Sequence, residues 1–208
     1  MTRRSRESES QADSSPRAVF SPAGLPHMRF LPDGHRILVR PLVPSDRQQL
    51  DARYEALSPA VRRSRFGSAP DHLSVHQLDE LLELDYNDRF ALAAVAVDEP
   101  FEPGVAVARY ARRRDNPTEA EAAVIVIEAY QHRGIGSILL LDLVEVARAH
   151  GITAFLGTVM WENADLLDAL RSWGVTVEPT EPGVAAVRAQ LSEIEQPARH
   201  RVWKHDVT

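Results

Sequence analysis

The passage from Glu121 to His150 limits most what this chain can become. Glu121 to Ile127 is apolar after its first two residues have been counted as charged and small, the segment Gln131-His132-Arg133-Gly134-Ile135-Gly136 follows, and Gly136 to His150 reads as a helix. A strand apolar on both faces belongs in the middle of a sheet. Gly134 and Gly136 have no side chain to block close approach, and the first N–H groups of a helix lack internal partners. Those groups and the helix dipole favour an anion at this point, and His132 and Arg133 stand at its rim. The expected ligand is a pyrophosphate. Spacing alone leaves alternatives open. A dinucleotide fingerprint needs a third glycine, where residue 139 is Leu, and the Gly-Lys-Ser/Thr of a P-loop is absent. An ordinary strand-to-helix turn that uses glycine only for geometry also remains.

The rest of the chain supplies a setting for that loop. Residues 1–33 are read as a disordered arm, with Ser, Arg, Glu and Pro but little periodicity. Order is expected from near Gly34. Arg36 to Arg40 is a short β-branched strand closed by Pro41 and Pro44, and Ser45-Asp46 opens a helix carrying Leu50, Tyr54 and Leu57. Ser58-Pro59 starts a second short helix, and Ser74 to Leu84 a third, with Leu78, Leu81 and Leu82 on one face. Phe90 to Val97 and Gly104 to Tyr110 form a hairpin around an acidic, Pro-containing turn. After the central helix, closed by Gly151, come a strand from Ile152 to Val159, a helix from Asn163 to Trp173 closed by Gly174, and strands at Val175–Val177 and Val184–Leu191. The fold class is α+β, one domain over residues 34–191, followed by a tail at 192–208.

Composition narrows the function. The 208 residues carry a net charge of -6, which argues against a nucleic-acid binder. With no cysteine, thiol catalysis and Cys-type zinc sites are excluded, and the eight histidines show no ligand spacing, so no metal is expected. No apolar run reaches the ~18 residues of a membrane span, and Met1 to Ala12 has no apolar signal-peptide core, so a cytoplasmic protein without membrane partners is expected.

Gln-x-x-Gly-x-Gly after a buried strand resembles motif A of the GNAT superfamily of N-acetyltransferases, and residues 36–191 are similar to that family in element order. Val126 to Gln131, Trp161-Glu162-Asn163, Leu166-Leu167 and Trp173-Gly174-Val175 match it at the corresponding places. The resemblance implies a GNAT-like central mixed, mostly antiparallel sheet flanked by helices, with acetyl-CoA as co-substrate. It implies cofactor contacts at Val126, Ile127, Gln131, His132, Arg133, Gly134, Ile135, Gly136 and Ser137, and at Asn163 and Leu166 beyond the next strand. Ser64-Arg65-Phe66, Asp85-Tyr86-Asn87 and Ala120 to Ala123 resemble the catalytic domain of bacterial Pat-type protein lysine acetyltransferases. Such proteins can carry a cyclic-nucleotide domain, for which the residues ahead of the first strand are too few. The acceptor is therefore expected to be a primary amine, with protein lysine one candidate.

Direct attack of an amine on a thioester needs a base. Glu121 is the candidate, at the start of an apolar strand where desolvation would raise its pKa, and it also matches the base position of the Pat-type resemblance. Against this stands a structural role, with Glu121 at the rim of the sheet and paired to an arginine; Glu119 is its nearest competitor. The resemblance to the family, whose strand splays where the thioester lies, implies that a backbone N–H near Val126 or Ile127 holds the oxyanion, a contribution of about 3 kcal/mol. Asn163 is equally suited to capping its helix. Tyr130 is expected to pack. Many family members carry a Tyr seven residues after that Asn as general acid; here residue 170 is Leu. A non-catalytic acyl-CoA-binding sensor or scaffold is the alternative.

Overall fold

Three strands rich in alanine and valine set the architecture: β3 (Arg89–Ala96), β4 (Gly104–Arg112) and β5 (Glu119–Val126). β3 is buried from its second residue to its last because helices cover both of its faces. The computed structural model describes residues 24–59, 61–62 and 70–194. Around these strands lie β1 (His27–Phe30), β2 (Arg36–Pro41), β6 (Ala154–Met160), β7 (Thr176–Glu181) and β8 (Val184–Gln190). They form one eight-stranded sheet in the order β1-β2-β3-β4-β5-β6-β8-β7. Among the described strands, only the β5–β6 pair is parallel. This is the α+β, mostly antiparallel sheet expected from the sequence.

One face carries α1 (Arg47–Glu55) and α2 (Val75–Leu82); the other carries α3 (Ile135–Ala149) and α4 (Ala164–Ser172). Strand alternation divides the core accordingly. Phe90, Leu92, Ala108 and Tyr110 pack with Leu139 and Leu143 of α3, while Ile125 and Ile127 pack on the Tyr54–Leu78 cluster beneath α1 and α2. Helix ends follow local chemistry. Ser74 Oγ accepts from Gln77 N at 3.2 Å while Gln77 Oε1 accepts from Ser74 N at 2.9 Å, a capping box that starts α2. α3 stops at Gly151, in the left-handed region at φ +77°, where Ile152 N–H donates back to Ala147 O.

The structure departs from the sequence reading at several points. Order begins before Gly34: β1 pairs with β2, and His27 and Arg29 reach the buried Asp142 of α3 at 2.9 and 2.8 Å. In β1 the polar residues face the protein while Met28 and Phe30 are exposed, an inverted pattern that hides the strand from any apolar periodicity. At the other end, Leu191–Glu193 forms a 3-10 turn and Ile194 is buried, with Arg148 donating to Leu191 O and Ile194 O, so the packed chain extends past 191. Asp46 does not cap α1 with its side chain; a 3-10 turn at Pro44–Asp46 comes first, and its carboxylate accepts from Val43 N and takes Arg40 in a bidentate pair. The Ser58-Pro59 helix lies partly, and Ser64-Arg65-Phe66 wholly, outside the described residues, as do 1–23 and 195–208.

Candidate functional site

β5 and β6 pair only from Glu119 to Glu121 against Ala154 to Leu156. Beyond that point β5 stays with β4, through Val126, and β6 stays with β8, through Met160, so the two halves of the sheet part into a wedge. Gly157 lies at its apex, where a Cβ would come within 3.1 Å of Ala122 O. The wedge opens into a cleft of about 1200 Å³ bounded by β5, β6, the loop before α3 and the start of α4.

The ladder determines which backbone groups face this cleft. Ile127 N–H donates to Val105 O at 3.0 Å. Hydrogen-bonded pairs alternate along an antiparallel ladder, so Ala123 and Ile125 also turn toward β4, while Val124 and Val126 turn toward the wedge. Of the two residues expected to hold an oxyanion, Val126 thus directs its N–H into the cleft, whereas that of Ile127 is committed to β4. The Val126 carbonyl accepts from Gln131 Nε2 at 3.0 Å, which ties the loop to the end of the strand.

The loop then turns through two left-handed residues, His132 at φ +59° and Gly134 at φ +79°. Gly134 is the N-cap of α3 and offers no capping side chain, and the first bond into the helix runs from Ile138 N to Gly134 O. Among the described residues, the N–H groups of Ile135, Gly136 and Ser137 have no acceptor. A Cβ on Gly136 would meet Val126 Cγ2 at 3.5 Å and Val124 Cγ2 at 3.9 Å, ordinary contacts, so neither packing nor backbone angle requires glycine there. Arg133 lies 4.8 Å over the Tyr130 ring and 3.3 Å from Asp33, which places its charge at the rim; His132 is exposed. Tyr130 is buried and its hydroxyl donates to Glu99.

Across the cleft, Asn163 caps α4, its Oδ1 accepting from Leu166 N at 3.4 Å, and Leu166 packs against the core. Leu170 is buried in that core, so the position of the family's tyrosine supplies apolar packing. Glu121 lines the cleft but is exposed, unlike the desolvated carboxylate expected, because it marks the last β5–β6 pair, where the strands part. It has no ion pair among the described residues. Glu119, its competitor, is held by Arg188 at 2.6 Å and Arg113 at 4.0 Å.

Arg109 and Thr158 line the cleft without having been expected there, and Trp173, matched only as a helix end, lines it too. Arg109 had a signal: a cation inside the otherwise apolar Gly104-Val-Ala-Val-Ala-Arg-Tyr run. Burial, and then the nearby Arg89 charge, lower its pKa from the usual value. Among the described residues, no cluster of three or more His, Cys, Asp or Glu could hold a metal, and no helix is long and apolar enough to cross a membrane.

Comparison with known proteins adds a family. The acetyltransferase (GNAT) family profile matches residues 58–174, more than half of the chain. An acetyltransferase of Pseudomonas aeruginosa is 33% identical over 121 residues, 58% of this chain and 64% of that protein. The acetyltransferase Pat of Mycolicibacterium smegmatis is 29% identical over 163 residues, 78% of this chain and 48% of that protein. The chain thus spans between about half and two thirds of the length of these two relatives. The GNAT domain of S. lividans PAT superposes with a TM-score of 0.71 at 29% identity, over 79% of this chain and 96% of that one. A Salmonella typhimurium protein solved with acetyl-CoA shares the fold, with a TM-score of 0.60 at 20% identity over 78% of this chain and 98% of that one.

Proposed function

The chain belongs to the GNAT family of acetyltransferases, and from that premise we propose that it transfers an acetyl group from acetyl-CoA to a primary amine. The observation that carries this is the wedge between β5 and β6, with the Val126 N–H directed into it and the free N–H groups of Ile135 to Ser137 at its end. Those N–H groups and the α3 dipole suit a diphosphate. Gly136 leaves room for its close approach, and Arg133 adds charge at the rim. Gln131, His132 and Gly134 shape the cradle, and the Asn163 amide and Leu166 border the opposite wall, where an extended amide-bearing arm would lie. The relatives support acetyl-CoA as donor. The Pat-type likeness makes protein lysine one acceptor to test.

Glu121 is the base in this proposal. Its carboxylate, unpaired and at the apex of the wedge, takes the amine proton directly or through one water. The nitrogen then forms its bond to the acyl carbon. Val126 N–H donates to the oxygen as it gains charge, and the C–S bond breaks to release thiolate. With Leu170 in the core, that position offers no phenol, and water supplies the proton to the sulfur.

Release of free CoA, followed for wild type and Glu121→Gln across an amine and peptide panel, tests the proposal. Loss of a general base lowers kcat by roughly 100- to 10,000-fold with CoA affinity retained. An unchanged rate removes Glu121 as base. Tight CoA binding by wild type without turnover on any amine would favour a binding module, a reading that the buried Leu170 makes worth testing.

A further inference from the structure

Arg109 sits on the sheet face that carries α1 and α2, beside Glu121. The register places it between Ala91 on β3 and Ala123 on β5, and places Ala111, its next neighbour on that face of β4, opposite Glu121. Arg109 and Glu121 are therefore diagonal neighbours, with Cβ atoms separated by about 7 Å. Ala111 and Ala123, small residues on the same face, line the cleft beside them. Four other arginines on this side of the sheet meet carboxylates, Arg40 with Asp46, Arg47 with Asp79, Arg62 with Asp71 and Arg89 with Glu83, while Arg53 of α1 has none among the described residues. Arg109 is half-buried and, among the described residues, has neither hydrogen-bond nor ion-pair partner; Glu80 acts on it only as a distant charge. A guanidinium withdrawn from water without an anion is unfavourable, and its planar fork matches a carboxylate. It lines the same cleft as Glu121.

We infer that the acceptor is an amine bearing a carboxylate, which Arg109 grips while the nitrogen meets Glu121. This deepens the acetyl-transfer proposal and rests on it. The carboxylate belongs either to a free amino acid or to an acidic residue beside a peptide lysine, because both present the same group to the fork.

The test offers each amine in two forms: amino acids against their amides, and lysine peptides with Asp against Asn next to the lysine. Wild type should favour the carboxylate form. Arg109→Gln should raise KM for that form by roughly 10- to 100-fold and leave the amide form nearly unchanged. Arg109→Lys should recover part of the preference, since it keeps the charge and loses the fork. The arm that shows the preference identifies the source. An equal loss on both forms in each variant, with CoA-induced thermal stabilisation intact, would overturn the inference and leave acetyl transfer standing. If wild type turns over no amine, acetyl transfer falls and binding decides. With CoA present, a shift of the Arg109 Nε–H resonance by Nα-acetyl-lysine but not by its amide upholds the anion site; no shift overturns it.

Discussion

Replacing Gly136 by alanine separates a glycine kept for a ligand from one kept for the fold. Gly136 is not among the residues with positive φ, and the new Cβ would make ordinary contacts at 3.5 and 3.9 Å with Val126 and Val124. The folded protein therefore admits the methyl group, and the helix gains up to about 1 kcal/mol in propensity. In the proposed cradle, the same methyl group stands where a diphosphate oxygen would approach an N–H at the start of α3. Loss of one hydrogen bond to a charged group is worth about 1.5–3 kcal/mol, or roughly 10- to 100-fold in Kd. With CoA at about 100 times the wild-type Kd, binding stabilises by about 2.7 kcal/mol; a variant weakened about 30-fold keeps about 0.9 kcal/mol. At about 2–4 °C per kcal/mol, the CoA-induced rise in Tm falls from about 5–11 °C to about 2–4 °C. The ligand-free Tm stays the same or rises. Differential scanning calorimetry with and without CoA, together with titration calorimetry for Kd, measures both terms. Wild-type affinity in Gly136→Ala would refute the argument, as would a fall in ligand-free Tm of more than about 3 °C. Gly134→Ala is the contrast: at φ +79° the alanine costs about 1–2 kcal/mol of folding stability whatever binds.

Other perturbations address the frame. Arg29→Met leaves the buried Asp142 carboxylate with His27 alone and should cost about 3 kcal/mol in urea unfolding; a change below about 0.5 kcal/mol would mean that this pair does not hold β1 to α3. Asn163→Ala removes a long cap bond at 3.4 Å and should cost about 0.5–1 kcal/mol, and no change in the unfolding midpoint would assign its side chain to the cleft alone. Burial, and then the Arg112 charge, hold the His150 imidazole below its ordinary 6.5. The unfolded chain therefore takes up this proton first, so the stability contribution is complete above about pH 6.5 and declines as pH falls from there toward the lowered folded value. His150→Gln should flatten that part of the stability–pH curve, and an unchanged slope would remove His150 as its source.

Much of the site was legible locally. The apolar strand before Gly134, the helix after Gly136 and the Asn163 cap are each determined by residues a few positions apart, and the glycine pair already pointed to an anion. The charged strand at His27 was not legible, because it presents His27 and Arg29 inward to a carboxylate 115 and 113 positions away. Glu121 was placed correctly on its strand, yet its expected burial depended on a neighbour: the divergence of β6 leaves it exposed. Ile127 was a plausible N–H donor until the register committed it to Val105.

The order of strands after β1, the central position of β5 and the glycine-bearing turn into α3 were determined by the sequence alone, because φ preference, apolar patterning and helix ends depend on short-range geometry. The wedge, the turning of the Val126 N–H rather than that of Ile127 into it, and the lack of an ion-pair partner for Arg109 among the described residues were decided only by the tertiary structure. Each depends on which strand lies alongside and in what register, and sheet pairing joins residues that have no local relation in the chain.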